Sequence, residues 1–268
     1  MSLNKAGIKN VILLCRKISA LECVQFLFKN KIAIVAIVTH PDDPAKQTLQ
    51  AIARAKKILF FTDDAPLYRM IERRDKRLQN IDLVISYLFW KKVRLPLIGI
   101  STKGCINFHP APLPDYKSRA GYNTAILDQR KNFGVSAHFV EDETFDSGQI
   151  IKVLTFPIDP KTETVISLEQ KTQRKLVELF KSVITSFLLN KKFKLAANKG
   201  GLYLTAGQLD ELKRIDPSKE SLEEIHRKIR AFFFPPYPGA YVEIKGEKFT
   251  LLDEATLKYI AELLTVKS

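Results

Sequence analysis

Asn107 and His109 stand two apart at the end of an apolar stretch, Cys105-Ile-Asn-Phe-His109, that Pro110 closes. Residues two apart on an extended strand project to the same face, and a proline cannot continue the ladder. The pair is therefore expected at the carboxyl end of a strand, the edge at which open α/β sheets bind ligands. An amide donor beside an imidazole suits attack at a carbonyl: the amide holds the developing oxyanion and the histidine moves the proton. A third group should bias the imidazole. Asp146, in the tight turn Phe145-Asp-Ser-Gly148, is the candidate. Residue types alone leave a second reading open, in which His109 is only a satisfied structural group.

Other assignments of these side chains fare less well. His109, His138 and Asp146 could be read as metal ligands, but the chain lacks a short His-x-x-x-His or similar spacing, and no metal is expected. His138 is expected behind the reacting groups or in the core. Cys105 is expected to point away from the Asn107/His109 face and not to act as a nucleophile.

The elements that must position these residues follow from periodicity. Val11 to Cys15, Ile32 to Val38, Ile58 to Thr62 and Ile81 to Ser86 are short runs rich in β-branched and apolar residues, expected as buried strands. Stretches near 18–30, 43–56 and 64–77 carry apolar residues at helical spacing, for example Leu21, Val24, Leu27 and Phe28. Such alternation implies βαβ units and a mostly parallel sheet covered on both faces, a doubly wound, Rossmann-like α/β fold. Further on, the pattern predicts a helix over 120–130, a strand from Val135 to Val140, an acidic loop over 141–148 and a long amphipathic helix over 165–190. Asn198-Lys-Gly-Gly201 is the best candidate linker. It divides the chain into a catalytic domain, 1–197, and a small α+β tail, 198–268, with a helix near 220–231 and a hairpin turning at Lys245-Gly246.

Composition bounds the function. Hydrophobic residues at 46% and charged residues at 27% of 268 are ordinary for a globular chain, so disordered and fibrous classes drop out. The longest aliphatic run, Ile32 to Val38, falls far short of the ~20 residues that a membrane helix needs. Neither a membrane nor an export signal is expected. Three cysteines without Cys-x-x-Cys spacing fit a reducing, cytoplasmic setting. The net charge of +14 favours anionic partners, yet the basic residues are interspersed with acidic ones, and no nucleic-acid partner is expected. The turn after the first strand, Arg16-Lys-Ile-Ser-Ala-Leu21, holds no glycine, which disfavours NAD and FAD, and no P-loop motif occurs.

Three segments carry a more specific signal: Ile106-Asn-Phe-His-Pro-Ala-Pro-Leu-Pro-Asp-Tyr116, Gly134-Val-Ser-Ala-His-Phe-Val140 and Phe145-Asp-Ser-Gly-Gln-Ile-Ile151. Together they resemble the formyltransferase family that uses N10-formyltetrahydrofolate, in which an Asn-x-His pair is followed by Asp-x-Gly. One departure is Lys117-Ser118-Arg119, where the family often has Arg-Gly. The resemblance implies formyl transfer to an amine, with Asn107 donating to the oxyanion, His109 handling the amine proton and Asp146 orienting His109. It further implies N10-formyltetrahydrofolate as donor, its pterin beside Tyr87, Leu88, Phe89 and Trp90 and beside Val140, Glu141 and Asp142. The alternative for those aromatics is a plain apolar wall.

Three acceptors compete within the resemblance. Methionyl-tRNA enzymes carry a C-terminal barrel of ~100 residues, which the tail here does not resemble. Glycinamide ribonucleotide enzymes read Pro-Ser-Leu-Leu-Pro where this chain has Pro110-Ala-Pro-Leu-Pro114. The string through Tyr116, Arg119-Ala-Gly-Tyr-Asn123, and Ile229 to Ala240 with its Phe232-Phe-Phe-Pro-Pro-Tyr237 resemble the nucleotide-sugar N-formyltransferases. That implies a nucleotide-linked amino-deoxysugar as acceptor, of the dTDP-4-amino-4,6-dideoxyhexose kind used in surface polysaccharide such as O-antigen, with Arg119 and Tyr122 placed to meet it. Phe232 to Tyr237 could pack on a base or sugar, or simply dock the tail. The apolar hairpin suggests a homodimer. A reading of another class, a non-catalytic basic module binding nucleic acid, predicts that Asn107, His109 and Asp146 are dispensable.

Overall fold

The computed structural model describes residues 7–119 and 121–265, with side chains as far as residue 262. Its first part alternates strand and helix: β1 (Asn10–Cys15), α1 (Ala20–Lys29), β2 (Ala33–Val38), α2 (Lys46–Lys56), β3 (Leu59–Phe61), α3 (Ala65–Glu72), β4 (Leu83–Tyr87), α4 (Leu95–Ile98) and β5 (Cys105–His109). There follow β6 (Tyr116–Ser118), α5 (Gly121–Leu127), β7 (Asn132–Phe139), β8 (Ile150–Pro157) and the long α6 (Val165–Leu188). The remainder holds β9 (Leu202–Leu204), α7 (Ala206–Leu212), α8 (Leu222–Phe232), the hairpin β10 (Tyr241–Ile244) and β11 (Glu247–Thr250), and α9 (Glu254–Thr265).

Seven strands form the central sheet in the order β3-β2-β1-β4-β5-β7-β8. The pairs β2–β3, β1–β2, β1–β4 and β4–β5 are parallel, and β7 runs antiparallel to β5. The chain order reverses beside β1, which gives the expected doubly wound α/β arrangement, and the sheet is mostly parallel. β1 and β4 are apolar on both faces because both are covered, so they read as continuous hydrophobic runs rather than alternating ones. On one face Ile12, Leu14, Val84 and Cys105 pack with Leu67 and Leu97 from α3 and α4. An aromatic group formed by Tyr87, Phe108 and Phe180 of α6 packs in tilted and edge-on contacts at centroid distances of 5.0–6.2 Å. Tyr87, Phe108 and Phe180 are wholly buried. Full burial of an aromatic side chain contributes about 2–3 kcal/mol, so this group is a principal anchor of α6 on the strands.

The chain divides into two compact units, Met1–Asp115 with Gly134–Leu154 and Gln173–Gly201, and Tyr116–Phe133 with Thr155–Thr172 and Leu202–Ser268. The first contains most of the sheet. The second contains the small parallel pair β6–β9, the β10–β11 hairpin and the packed helices α5 and α8. Two of its helices begin with capping boxes, Thr205 with Gln208 for α7 and Ser221 with Glu224 for α8, which satisfy amide groups that a helix start leaves open. The hairpin turn falls where the sequence placed it, with Lys245 and Gly246 both at positive φ.

Candidate active site

Register, more than sequence spacing, assembles the site. In the antiparallel β5–β7 pair, Asn107 stands opposite His138 and His109 opposite Ser136. In the parallel β4–β5 pair, Ser86 aligns with Asn107. Five polar side chains from three adjacent strands thus share one region of an otherwise apolar sheet. Ser86, His109, Ser136 and His138 are all buried. Buried polar groups must be partnered, and these are.

Ser86 Oγ donates to Asn107 Oδ1 at 2.7 Å, which fixes the amide so that its nitrogen faces the other way. Asn107 Nδ2 lies 3.1 Å from His138 Nε2 and 3.2 Å from Asp146 Oδ1, and those two acceptors are 3.3 Å apart. The three atoms form a nearly equilateral triangle. His138 Nδ1 is 2.7 Å from the Phe139 carbonyl, which can only accept, so Nδ1 carries the hydrogen and Nε2 presents its lone pair to Asn107. His109 Nδ1 is 3.3 Å from Asp146 Oδ1. With Asp146 ionised, that nitrogen is the protonated one and His109 Nε2 keeps a lone pair. Ser136 Oγ donates to the Ala111 carbonyl and accepts from the Leu113 amide, both at 2.8 Å, so the strand opposite His109 also holds the loop that follows it.

Asp146 is buried and sits at φ 51°, a left-handed conformation that a tight turn requires. Its loop is held from behind. Asn198 Nδ2 donates to the carbonyls of Asp146 and Gly148 at 2.8 and 2.9 Å. Gly148 packs so closely that a Cβ there would lie 2.0 Å from the Phe139 carbonyl oxygen. The stretch expected as a linker thus carries a positioning contact: Asn198 is buried against the Asp146 turn, and a Cβ on Gly201, at φ 84°, would meet the Pro114 carbonyl at 1.6 Å.

Of the other residues singled out in the sequence, Phe89, Val140 and Asp142 line one pocket with Ser86, Asn107, His138 and Asp146. Trp90 packs on Phe89 at 4.5 Å and edge-on to His40 at 4.8 Å. Leu88 takes a positive φ of 55°, and Glu141 accepts from the Gln149 amide at 3.3 Å. Tyr87 is wholly buried, its hydroxyl 3.1 Å from Ser19 Oγ, so what it can offer a ligand is backbone. Arg119 and Tyr122 belong to the second unit. Arg119 is exposed, whereas Tyr122 packs on Phe133 at 5.8 Å, with burial pushing its phenol up. Phe232 is buried, while Phe234 and Tyr237 stack nearly parallel at 6.0 Å.

Cys105 corrects one expectation. Two residues before Asn107, it alternates onto the same side of the strand, not the opposite one. Burial pushes its thiol well up, so it presents no thiolate there. Two residues of the cluster were not singled out in the sequence at all: Ser86 had no signal beyond its place at a strand end, and Asn198 none beyond a loop composition.

An open, doubly wound sheet with an Asn-x-His pair at the end of an inner strand and an aspartate folded against it defines an α/β scaffold with a polar site at its strand ends. Comparison with known proteins specifies it further. Residues 20–184 match the family described as "Formyl transferase", and residues 210–261 match "Formyl transferase, C-terminal domain". The chain belongs to the formyl transferase family, and it is a formyltransferase by that membership. It is 26% identical over 258 residues to the methionyl-tRNA formyltransferase of Clostridioides difficile (strain 630), spanning 92% of this chain and 82% of that one. It is 28% identical over 216 residues to the GDP-perosamine N-formyltransferase of Brucella melitensis biotype 1, spanning 80% of each. In structure it is similar to a 4-N formyltransferase from Francisella tularensis, with a TM-score of 0.73 at 20% identity over 92% of this chain and 97% of that one. It is also similar to the N-formyltransferase from Helicobacter canadensis in complex with folinic acid and dTDP-3-aminofucose, with a TM-score of 0.71 at 24% identity over 91% and 86%.

Proposed function

We propose that the protein transfers the formyl group of N10-formyltetrahydrofolate to the amine of a nucleotide-linked amino-deoxysugar. The observation that carries the chemistry is the Asn107–His109–Asp146 cluster, in which the amide and the imidazole converge on one carboxylate oxygen. The neutral amine attacks the formyl carbon, giving a tetrahedral oxyanion. Asn107 Nδ2 donates a hydrogen bond to that oxygen. His109 Nε2 takes the proton from the attacking nitrogen, and Asp146 stabilises the resulting imidazolium through Nδ1. The proton then passes to N10 of the folate as the bond from N10 to the formyl carbon breaks, leaving tetrahydrofolate and a formamide. Ser86 and His138 position Asn107 rather than touch the substrate.

In this reading the pterin occupies the pocket lined by Phe89, Val140 and Asp142, with backbone of residues 87–90 and 140–142 reading its edge. Arg119 meets an acceptor phosphate, while Tyr122 supports the acceptor side through packing. Support for a sugar acceptor comes from the Leu-Pro-Asp-Tyr116 and Phe-Pro-Pro-Tyr237 strings and from sugar-modifying relatives and structural neighbours. The apolar Ile244 and Phe249, 54% and 48% exposed on the hairpin, support a homodimer. The test is incubation with N10-formyltetrahydrofolate and a panel of 3-amino and 4-amino sugars on dTDP and GDP carriers, followed by mass spectrometry. A gain of one formyl group on one of them, abolished by His109→Ala, is expected. A panel without any gain would overturn the sugar reading.

A further inference from the structure

The second unit contains a cavity of about 950 Å³ that the formyl-transfer chemistry does not use. That is within the size range of small-molecule and cofactor sites. The loop before α6, one side of α8, Phe233 and the first turns of α9 wall it. Its charges are unevenly met. Arg230 is part-buried in the wall, and its Nε is shielded from solvent with no hydrogen-bond partner among the described residues. Its Nη2 reaches the Pro160 carbonyl at 3.4 Å. Burial pushes the guanidinium pKa down, and the charges of Asp253, Glu223 and Asp159 do not offset it.

Asp253 lines the same wall but is already committed, accepting from His226 Nδ1 and from the Thr256 amide, both at 2.8 Å. Burial would raise its carboxyl pKa, and the bonds from Thr256 and His226 outweigh that and hold it down. Lys161 and Lys258 are two further cations on the lining, both exposed. Phe233 and Tyr259 supply aromatic surface between them. Arginine presents a planar fork of donors that matches phosphate oxygens, and a phosphate at Arg230 would satisfy both the charge and the idle Nε.

We propose that this cavity binds a phosphorylated ligand of nucleotide size, its phosphates on Arg230 with Lys161 and Lys258 and its ring against Phe233 or Tyr259. Two sources share that chemistry: the nucleotide portion of the acceptor, which rests on the sugar-nucleotide reading above, and a free nucleotide acting separately, which does not.

Titration calorimetry on the full chain with dTDP, and with thymidine as the phosphate-free control, tests it. dTDP is expected to bind and thymidine not to, with affinity falling as salt rises. Arg230→Gln should weaken dTDP at least tenfold. Lys258→Glu, at an exposed position that leaves the fold intact, should weaken it several-fold even if the Arg230 variant does not fold. Absence of dTDP binding, or equal binding by wild type and the Lys258 variant, would overturn the proposal. A raised KM for the sugar nucleotide in Lys258→Glu, at unchanged kcat, assigns the cavity to the acceptor. A change in kcat at saturating sugar nucleotide assigns it to a separate nucleotide. Arg230-dependent dTDP binding without transfer to any sugar would uphold the cavity and remove the sugar acceptor.

Discussion

Asn107 and His138 face each other across the antiparallel β5–β7 pair, with Asn107 Nδ2 and His138 Nε2 3.1 Å apart. Because His138 Nδ1 is bound to a backbone carbonyl, its Nε2 can serve Asn107 only as an acceptor, and Ser86 holds the other end of the amide. The orientation of Asn107 is therefore imposed from both sides. Asn107→Ala should lower kcat by about 10²–10³, the usual effect of removing one oxyanion donor. Ser86→Ala should lower it by about tenfold, the equivalent of one hydrogen bond, with KM for the folate donor little changed. Steady-state kinetics on folded variants checks both. A Ser86→Ala effect confined to KM would contradict a positioning role.

The Asp146 turn depends on the absence of a side chain at Gly148, where a Cβ would meet the Phe139 carbonyl at 2.0 Å. Gly148→Ala must displace the turn and with it the carboxylate that Asn107 and His109 face. A displacement of about 1 Å at a reacting group costs on the order of a hundredfold in rate. The expected result is a kcat loss of that order with the far-ultraviolet circular dichroism spectrum retained.

The three thiols give a check on the core that is independent of activity. Cys15, Cys23 and Cys105 are all buried, and burial above all pushes each thiol up. Thiolate is the reactive form. A disulfide reagent at neutral pH should therefore label none of the three in the native protein and all three after denaturation. Rapid labelling of the native chain would contradict the packing of β1, α1 and β5.

Acid sensitivity has a local origin in the second unit. The side chain of Ser218, the Lys219 ammonium and the Ser218 amide hold Asp216 down to about 2, from an ordinary 3.8. A depressed carboxyl contributes stability that is complete above its unfolded value and is lost as pH falls through the folded one. The stability difference between wild type and Asp216→Asn should be constant above about pH 5, shrink as pH falls below 4, and vanish below about 2. Denaturant unfolding across that range measures it.

Much of this was legible in the sequence where the physics is local. The apolar runs at Val11, Ile32 and Ile81 became β1, β2 and β4, because strands covered on both faces must be hydrophobic throughout. Two-residue spacing put Asn107 and His109 on one side of β5. What escaped depends on contacts distant in sequence. The three-residue β6 and β9 pair across more than eighty residues and carry no pattern of their own. Strand β8 lies directly after the Asp146 turn, and the burial of Ile150 to Pro157 does not alternate cleanly. Asn198 looked like linker composition, and only folding brings it to the Asp146 and Gly148 carbonyls. The opposition of His138 to Asn107 is a matter of register, which no single strand's sequence specifies.

The most direct test of the central claim is a competition for the formyl group. The enzyme would be given limiting N10-formyltetrahydrofolate with a dTDP-4-amino-4,6-dideoxyhexose and charged methionyl-tRNA together, and the formylated products would be measured. The sugar-amine account predicts formyl on the sugar, lost in His109→Ala. Formyl on methionyl-tRNA, with the sugar untouched, would contradict it.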